Sequence, residues 1–274
     1  MHIRIGFDIE LAFSAPTAPT ALIYMLQVHP ARAADVLGGE HITISPPLFT
    51  DHYLDGFGNA CSRVHVPAGV DRVRLRNEAV VFDSGWADPV DYGAVEHGPA
   101  VLPVETLPFL LPSRYCEVDS ELLQFAWDRF GSAAPGWHRV QAICDFVHGH
   151  LRFDYGNARA TRTALQGFRE GTGVCRDFAH LAITLCRCMN IPARYVTGYL
   201  GDIGVPPVPF PMDFSAWFEV YLGDRWHTFD ARHNRPRIGR VQMARGRDAA
   251  DVPITMVFGM HTLARFEVTT QEVA

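Results

Sequence analysis

The sequence predicts an α+β fold in which an N-terminal β-sandwich precedes a core of helices packed on an antiparallel sheet. Three observations support this fold class. Short alternating segments separated by Gly- and Pro-containing turns fill residues 1–88. Proline and glycine then become frequent between 89 and 115, and helical periodicity followed by a hairpin pattern occupies 116–274. We therefore predict a β-rich domain at 1–88, a linker at 89–115 and a core at 116–274.

The first strand has the clearest pattern in the N-terminal part. Apolar residues occupy every second position of this segment, at Ile3, Ile5, Phe7, Ile9 and Leu11. Further strands are predicted at 21–29, 41–44, 50–54, 60–66 and 70–81. Short strands with such turns between them are typical of a β-sandwich.

Three helices are predicted before the hairpin. The first extends from about residue 120 to 130 and the second from about 137 to 151. The third lies between Val174 and Met189, where apolar residues recur at spacings of three and four, and Asn190 ends it. Its broad apolar face indicates a buried helix.

Cys175 is the candidate nucleophile because it lies in the first turn of the third helix. Unpaired N–H groups and the positive end of the helix dipole favour a thiolate there, and Arg176 adds positive charge. Gly171 and Gly173 leave room for a substrate backbone, and the Cys175 amide can help to hold an oxyanion. The alternative is a buried structural cysteine beside a glycine-rich turn.

Motifs in the second half of the chain resemble those of a known family. Gly-Val-Cys-Arg-Asp-Phe-Ala around Cys175, followed by Ile-Pro-Ala-Arg-Tyr-Val-Thr-Gly-Tyr at 191–199 and Ala-Trp-Phe-Glu-Val-Tyr at 216–221, resembles the bacterial transglutaminase-like cysteine protease family. The turn at 55–59 resembles one in the β-rich region that precedes the core of that family. The resemblance implies a papain-like core with a cysteine nucleophile on a helix, a histidine base on a strand and an aspartate on the next strand. Cys175 and Asp230 match the first and the third of these positions.

Ser215 occupies the position at which the family has the histidine base. A serine hydroxyl of ordinary pKa neither removes the proton of a thiol nor protonates a leaving amine. A hairpin with its turn at 223–224 places Trp217 opposite Asp230, with Ser215 on the same face of the sheet. His227 falls on the other face, so we expect it on the sheet surface rather than in the site.

His233 is the preferred replacement for the missing base. It follows Asp230 closely, where the end of the strand allows the backbone to turn back toward the site. His180 follows Cys175 by five positions, which is about 140° around a helix. We therefore expect His180 to be a hydrogen-bonded core residue. A site without any base, which binds its ligand without turnover, is the alternative.

Three residues are predicted to contact the substrate: Tyr155, Gly173 and Trp217. For Tyr155 the alternative is an aromatic side chain at the edge of the core. We expect no metal and no cofactor, because the chain has no His-x-x-x-His or comparable ligand set. Its six cysteines show neither the spacing of metal ligands nor a paired disulfide framework.

Charge and composition restrict the possible partners. The net charge is −6, and no basic stripe is interleaved with aromatic residues, so we expect no nucleic-acid partner. Arginines cluster between 232 and 247, which is typical of a solvated face. We find no targeting signal and no apolar run of about 18 residues, so we expect a cytoplasmic protein with reduced thiols and no membrane contact. The oligomeric state stays open.

The predicted function is hydrolysis or acyl transfer at amide bonds of a peptide or protein substrate. Cys175 forms the acyl-enzyme, and Asp230 orients a base or polarises the site. Hydrolysis is the simpler reaction because water is always available as the acceptor. The alternative is a catalytically silent module that binds a peptide, with Ser215 as a hydrogen-bonding group.

Overall fold

The computed structural model describes residues 1–14, 18–208 and 211–273. The strands are β1 His2–Phe13, β2 Thr20–Tyr24, β3 Val36–Leu37, β4 Thr43–Ser45, β5 Thr50–Leu54, β6 Ala60–Val66, β7 Arg72–Phe82, β8 Arg152–Phe153, β9 Thr172–Gly173, β10 Ala193–Leu200, β11 Ser215–Leu222, β12 Arg225–Phe229, β13 Arg240–Gly246, β14 Thr255–Val257 and β15 His261–Val273. The α-helices are α1 Leu122–Phe130, α2 Trp137–His150, α3 Ala164–Glu170 and α4 Cys175–Cys188. The fold is therefore α+β, as the sequence predicts.

Two antiparallel sheets form the strand-rich region. One has the order β15-β1-β7-β3, with β4 also paired to β7, and the other has the order β14-β2-β6-β5. The alternation in β1 has the predicted result, because Ile3, Ile5 and Ile9 are buried. They belong to the same hydrophobic core as Leu22 and Val64 of the second sheet. Both sheets therefore bury their apolar faces in one core.

The strand-rich region contains strands from both ends of the chain. β15 pairs with β1 from His2↔Val273 to Phe13↔His261, and β14 pairs with β2. The division into domains at 1–88 and 116–274 stays a prediction, and the final strands of the chain belong to the N-terminal sheets.

The strand predicted at 21–29 ends earlier than expected, at Tyr24. Beyond this point the backbone leaves the sheet and bonds to other parts of the chain: Met25 N–H donates to the Ile254 carbonyl over 3.2 Å and His29 N–H donates to the Gln242 carbonyl over 2.9 Å. Met25 is nevertheless buried, because it packs in the hydrophobic core of the helical part. Its apolar character therefore reflects burial outside a strand.

The core sheet has the order β12-β11-β10-β13, and α4 packs against it. Side chains of α4 such as Phe178 and Leu185 share a hydrophobic core with Phe218 and Val220 of β11. α1, α2 and α3 also contact α4. Every residue of α4 from Asp177 to Cys188 is buried, so this helix is enclosed by its neighbours rather than covered on one face.

The β11–β12 hairpin fixes the register of the candidate site. Gly223 and Asp224 have φ values of 53° and 67°, which suit a two-residue turn between paired antiparallel strands. Leu222 pairs with Arg225 and Phe218 pairs with Phe229. The predicted register is therefore confirmed, and continuing it by one residue places position 217 opposite position 230.

The turn at 55–59 joins the strand-rich region to the core sheet. The Asp55 carboxylate accepts the backbone N–H of Phe57 over 2.8 Å and of Asn59 over 2.9 Å. The Asn59 amide bonds to both the N–H and the C=O of Arg245 in β13, each over 2.8 Å. Because Asn59 is fully buried, this contact holds the two parts of the chain together.

Candidate active site

The N-terminus of α4 is built around Asp177. Its Oδ2 atom accepts the Val174 N–H over 2.9 Å and the Arg162 Nη1 over 3.0 Å. A Cβ atom on Gly173 would lie only 2.6 Å from the Cβ of Asp177. Gly173 therefore makes room for this helix-capping carboxylate. The same contact determines where α4 begins and so places Cys175 as its first residue.

The Cys175 sulfur lies near the beginning of β11, where the Ala216 backbone N–H acts to lower the pKa of the thiol. Burial raises the pKa of this thiol to about 11, while the Arg232 guanidinium acts in the opposite direction. The carboxylates of Asp213 and Asp230 raise it further. Desolvation is the largest of these effects, so the raised pKa opposes the expected thiolate and favours the protonated thiol at neutral pH.

Asp230 holds His233 next to the end of β12. The Asp230 Oδ2 atom lies 2.8 Å from His233 Nδ1 and 2.9 Å from Arg240 Nη2. Its Oδ1 atom accepts the backbone N–H groups of Arg232 and His233, each over 3.0 Å. Burial acts to raise the pKa of Asp230, but Arg240 and His233 outweigh it and hold this pKa below its ordinary value. An ionised carboxylate thus orients the imidazole through its Nδ1 atom.

The turn that carries His233 is fixed by α2. The Asn234 N–H donates to the Asp230 carbonyl over 2.7 Å, and Asn234 has a positive φ of 50°. The Asn234 side chain bonds to Gln141 and Asp145 of α2, each over 2.8 Å. These contacts keep the backbone turned immediately after the strand, and the return of His233 toward Cys175 stays a prediction.

Arg232 is a residue of this site that the sequence did not single out. Its guanidinium carbon lies 3.8 Å from the centroid of the Phe153 ring. Its charge acts on both Cys175 and Tyr155. Tyr155 is 41% exposed, so it lies at the surface of the same group of side chains.

The expected solvated face at 232–247 is wrong for two of its arginines. Arg237 and Arg240 are buried, because the fold brings them to carbonyl and carboxylate partners that are distant in the sequence. Arg237 Nη2 donates to the Gly201 carbonyl over 2.8 Å, and Arg240 Nε lies 2.9 Å from Asp88 Oδ2. Such pairing is the condition under which guanidinium groups are buried.

Ser215 and Trp217 lie on the face of the hairpin that carries Asp230. Ser215 is buried, and its hydroxyl has no hydrogen-bond partner among the described residues. Trp217 is also buried, with the Arg240 guanidinium carbon 4.9 Å from its ring centroid. The family motif implies that the Asp230 carboxylate pairs with a histidine at position 215. In this protein the same carboxylate is bonded to His233 and Arg240 instead.

Two other histidines lie away from these groups. His227 pairs with Val220, as predicted, but it is buried rather than on the surface, with Nε2 3.1 Å from the Leu222 carbonyl. It is covered because the Trp137 ring packs on it with centroids 5.5 Å apart. His180 is a core residue, as predicted: it is fully buried and its Nε2 accepts the Ala249 N–H over 3.1 Å.

Across 1–14, 18–208 and 211–273, no group of three or more His, Cys, Asp or Glu side chains could hold a metal ion. The helices within these residues are also too short or too polar to cross a membrane.

Comparisons with known proteins identify the family. The model of the transglutaminase-like superfamily matches residues 127–231, which include Cys175, Ser215 and Asp230. A crystal structure named "Putative Cysteine Protease from Cytophaga hutchinsonii" is 30% identical with a TM-score of 0.83, covering 99% of this chain and 90% of that one. An uncharacterised protein of Mycobacterium tuberculosis is 25% identical over 233 residues, 77% of this chain and 73% of its own length. One of Mycobacterium leprae is 30% identical over 115 residues, 41% of each chain. The chain belongs to the transglutaminase-like superfamily.

Proposed function

We propose that this protein hydrolyses or transfers acyl groups at amide bonds of a peptide or protein substrate, with Cys175 as the nucleophile and His233 as the base. The observation that carries the proposal is the 2.8 Å contact between His233 Nδ1 and Asp230 Oδ2. Asp230 occupies the aspartate position of the family motif and orients an imidazole, although position 215 is a serine. His233 therefore supplies the group that the motif lacks.

The raised pKa of Cys175, about 11, determines how the thiol is activated. A protonated thiol needs a base at the moment of attack. His233 Nε2 takes the proton as the bond between sulfur and the acyl carbon forms, and Asp230 stabilises the imidazolium. The same proton then passes to the leaving amine as the carbon–nitrogen bond breaks. Water attacks the thioester in hydrolysis, and an amine attacks it in acyl transfer.

The environment of Cys175 supports substrate binding on the side of Tyr155 and Arg232. The Cys175 amide lies in the first turn of α4, where N–H groups stabilise a developing oxyanion. Tyr155 is partly exposed and would contact a substrate that enters beside Cys175. All six cysteines are free thiols, which fits our proposal of a reducing, cytoplasmic location.

A peptide-binding module without turnover is the second candidate. Two observations favour it: the buried hydroxyl of Ser215, at the family's histidine position, has no partner among the described residues, and desolvation raises the pKa of the Cys175 thiol to about 11. In such a module Ser215 would hydrogen-bond to the ligand. The two candidates differ in whether Cys175 ever carries an acyl group.

Acetylation by p-nitrophenyl acetate distinguishes the candidates. We expect release of p-nitrophenolate, continued turnover, and an acetyl group on the Cys175 peptide by mass spectrometry. Cys175→Ala should lose all three, whereas Cys144→Ala, which removes a buried thiol, should behave as the wild type. A folded wild-type protein whose Cys175 stays unacetylated would rule out the enzyme and favour the binding module.

A further inference from the structure

A cavity of about 430 Å³ lies on the face of the core sheet opposite α4. Trp217 and Glu219 of β11 line this cavity, whereas the alternate residues Phe218 and Val220 pack in the core that contains α4. The opposite wall comes from the segment at 83–89. The cavity is thus separate from the side of the sheet on which α4 lies, and no step of the proposed reaction uses it.

Three residues that line this cavity each carry a buried hydrogen-bond donor without a partner within the described residues. The donors are Arg237 Nε, Arg240 Nη1 and Gln242 Nε2. The two arginines are only 4% and 8% exposed. Arg237 Nη2 is bonded to the Gly201 carbonyl, and Arg240 Nη2 is bonded to Asp230. Buried donors of this kind are normally satisfied, so these three atoms point to an acceptor from outside the described residues.

The acidic residues of the cavity already have partners. Asp88 Oδ2 accepts Arg240 Nε and the Arg237 backbone N–H, each over 2.9 Å. Glu219 accepts Arg194 Nε over 2.6 Å. Asp83 accepts the Gly85 N–H over 2.8 Å. Each acidic residue of the cavity therefore already accepts at least one hydrogen bond, whereas the three donors have no acceptor within the described residues, which favours a ligand that carries acceptors.

We propose that this cavity binds a small carboxylate, which accepts hydrogen bonds from Arg237, Arg240 and Gln242. Two of these donors are guanidinium groups, and guanidinium pairs favourably with a carboxylate. A monoanion fits better than a phosphate dianion, because the charges of the lining residues balance: Arg32, Arg237 and Arg240 against Asp83, Asp88 and Glu219. The volume lies in the range of small-molecule sites, and the Trp217 ring offers an apolar surface for the remainder of the ligand.

The cavity lies next to the Asp230–His233 pair, because Arg240 contacts both the cavity and Asp230. Arg240 donates to Asp88 within the cavity and to Asp230, which holds His233. A carboxylate bound to Arg240 would therefore share this guanidinium with Asp230, which in turn holds His233. The inference does not depend on catalysis, since it rests on the cavity and its donors alone.

Binding of propionate provides the test, with tryptophan fluorescence and calorimetry as readouts. Trp217 and the 82% exposed Trp86 both line the cavity and should report occupancy. We expect saturable binding that weakens about tenfold or more in Gln242→Glu, which replaces a donor by a like charge. Gln271→Glu on the exposed face of β15 is the matched control and should bind as the wild type.

Other outcomes would overturn the proposal. These are the absence of saturable propionate binding by calorimetry, tighter binding of inorganic phosphate than of propionate at equal ionic strength, or equal affinity in Gln242→Glu and wild type. If Gln242→Glu does not fold, Arg237→Lys replaces it as the variant. Lysine keeps the charge but lacks the Nε donor, so weaker propionate binding is again expected, and unchanged binding contradicts the site.

Discussion

At Cys175, burial and the helix dipole act on the thiol in opposite directions. The dipole favours the thiolate, but removal of the sulfur from water raises the pKa to about 11. Arg232 is the side chain whose charge opposes this rise most strongly. The raised pKa favours the thiol form of Cys175, the proposed nucleophile, at neutral pH, so its reactivity depends on the group that takes the proton.

Replacing Arg232 should raise the Cys175 pKa further. Alkylation by iodoacetamide requires the thiolate, so the wild-type rate should increase with pH up to about 11, and Arg232→Met should react several-fold more slowly at pH 8. Arg235→Met removes an exposed arginine of the same turn and is the control. The rates are measured by mass spectrometry of the Cys175 peptide. Equal rates for Arg232→Met and wild type would show that this charge does not act on the thiol.

Individual residues of the site differed in how well the sequence predicted them. Cys175 and Asp230 were found from motif positions, and the closeness of His233 to Asp230 followed from their separation of three residues. Arg240 could not be predicted, because its partner Asp88 lies 152 residues away and an arginine-rich segment resembles a solvated face. Contacts between distant residues are a property of the fold rather than of any local pattern.

At the level of elements, the N-terminus of α4 depends on a glycine. Gly173 lies where any side chain would meet Asp177, the carboxylate that accepts the Val174 N–H and the Arg162 guanidinium. The sequence suggested that Gly173 leaves space for substrate. The structure provides a local reason for this glycine, which is independent of any ligand.

Gly173→Ala should destabilise the protein by about 1–3 kcal/mol, because the added methyl group displaces Asp177 and with it the start of α4. Urea unfolding measures the change. The matched control is Gly149→Ala in α2, where a Cβ would meet nothing within 4 Å. That substitution should stabilise the helix by about 0.5–1 kcal/mol. A Gly173→Ala protein as stable as the wild type would contradict the close contact.

The hairpin and the strand predicted at 21–29 show where local patterns suffice. The two-residue turn at Gly223 and Asp224 fixes the pairing of β11 and β12, so the register could be predicted. The apolar run after Tyr24 gave no sign of where the strand ends. Apolar residues there are buried by contacts outside the sheet, and periodicity does not distinguish these two kinds of burial.

At the level of the whole molecule, the two ends of the chain close the same sheets and Asn59 links those sheets to the core. The alternating pattern of β1 predicts a strand but not its partner, and the partner β15 begins more than 240 residues later. The predicted fold class was therefore correct, whereas the contribution of the final strands to the N-terminal sheets could not be predicted.

Asn59→Ala should weaken the link between the strand-rich region and the core. The substitution leaves the buried N–H and C=O of Arg245 without their partner, at an expected cost of about 1–3 kcal/mol. The matched control is Asn157→Ala: Asn157 also donates to an aspartate, Asp154, but is exposed and should change the free energy of unfolding little. Thermal unfolding and hydrogen exchange at the Arg245 amide are the measurements. Unchanged exchange at this amide in Asn59→Ala would contradict the link.

The most direct test of the central claim, that His233 activates Cys175, is the pH dependence of Cys175 acetylation by p-nitrophenyl acetate. We predict that the wild type and the exposed-histidine control His261→Ala acetylate Cys175 at neutral pH. In His233→Ala, acetylation of Cys175 should be about 10²–10⁴-fold slower at pH 7. The rate should recover only as the pH approaches the pKa of the Cys175 thiol, about 11. Identical pH profiles for wild type and His233→Ala would show that His233 is not the base.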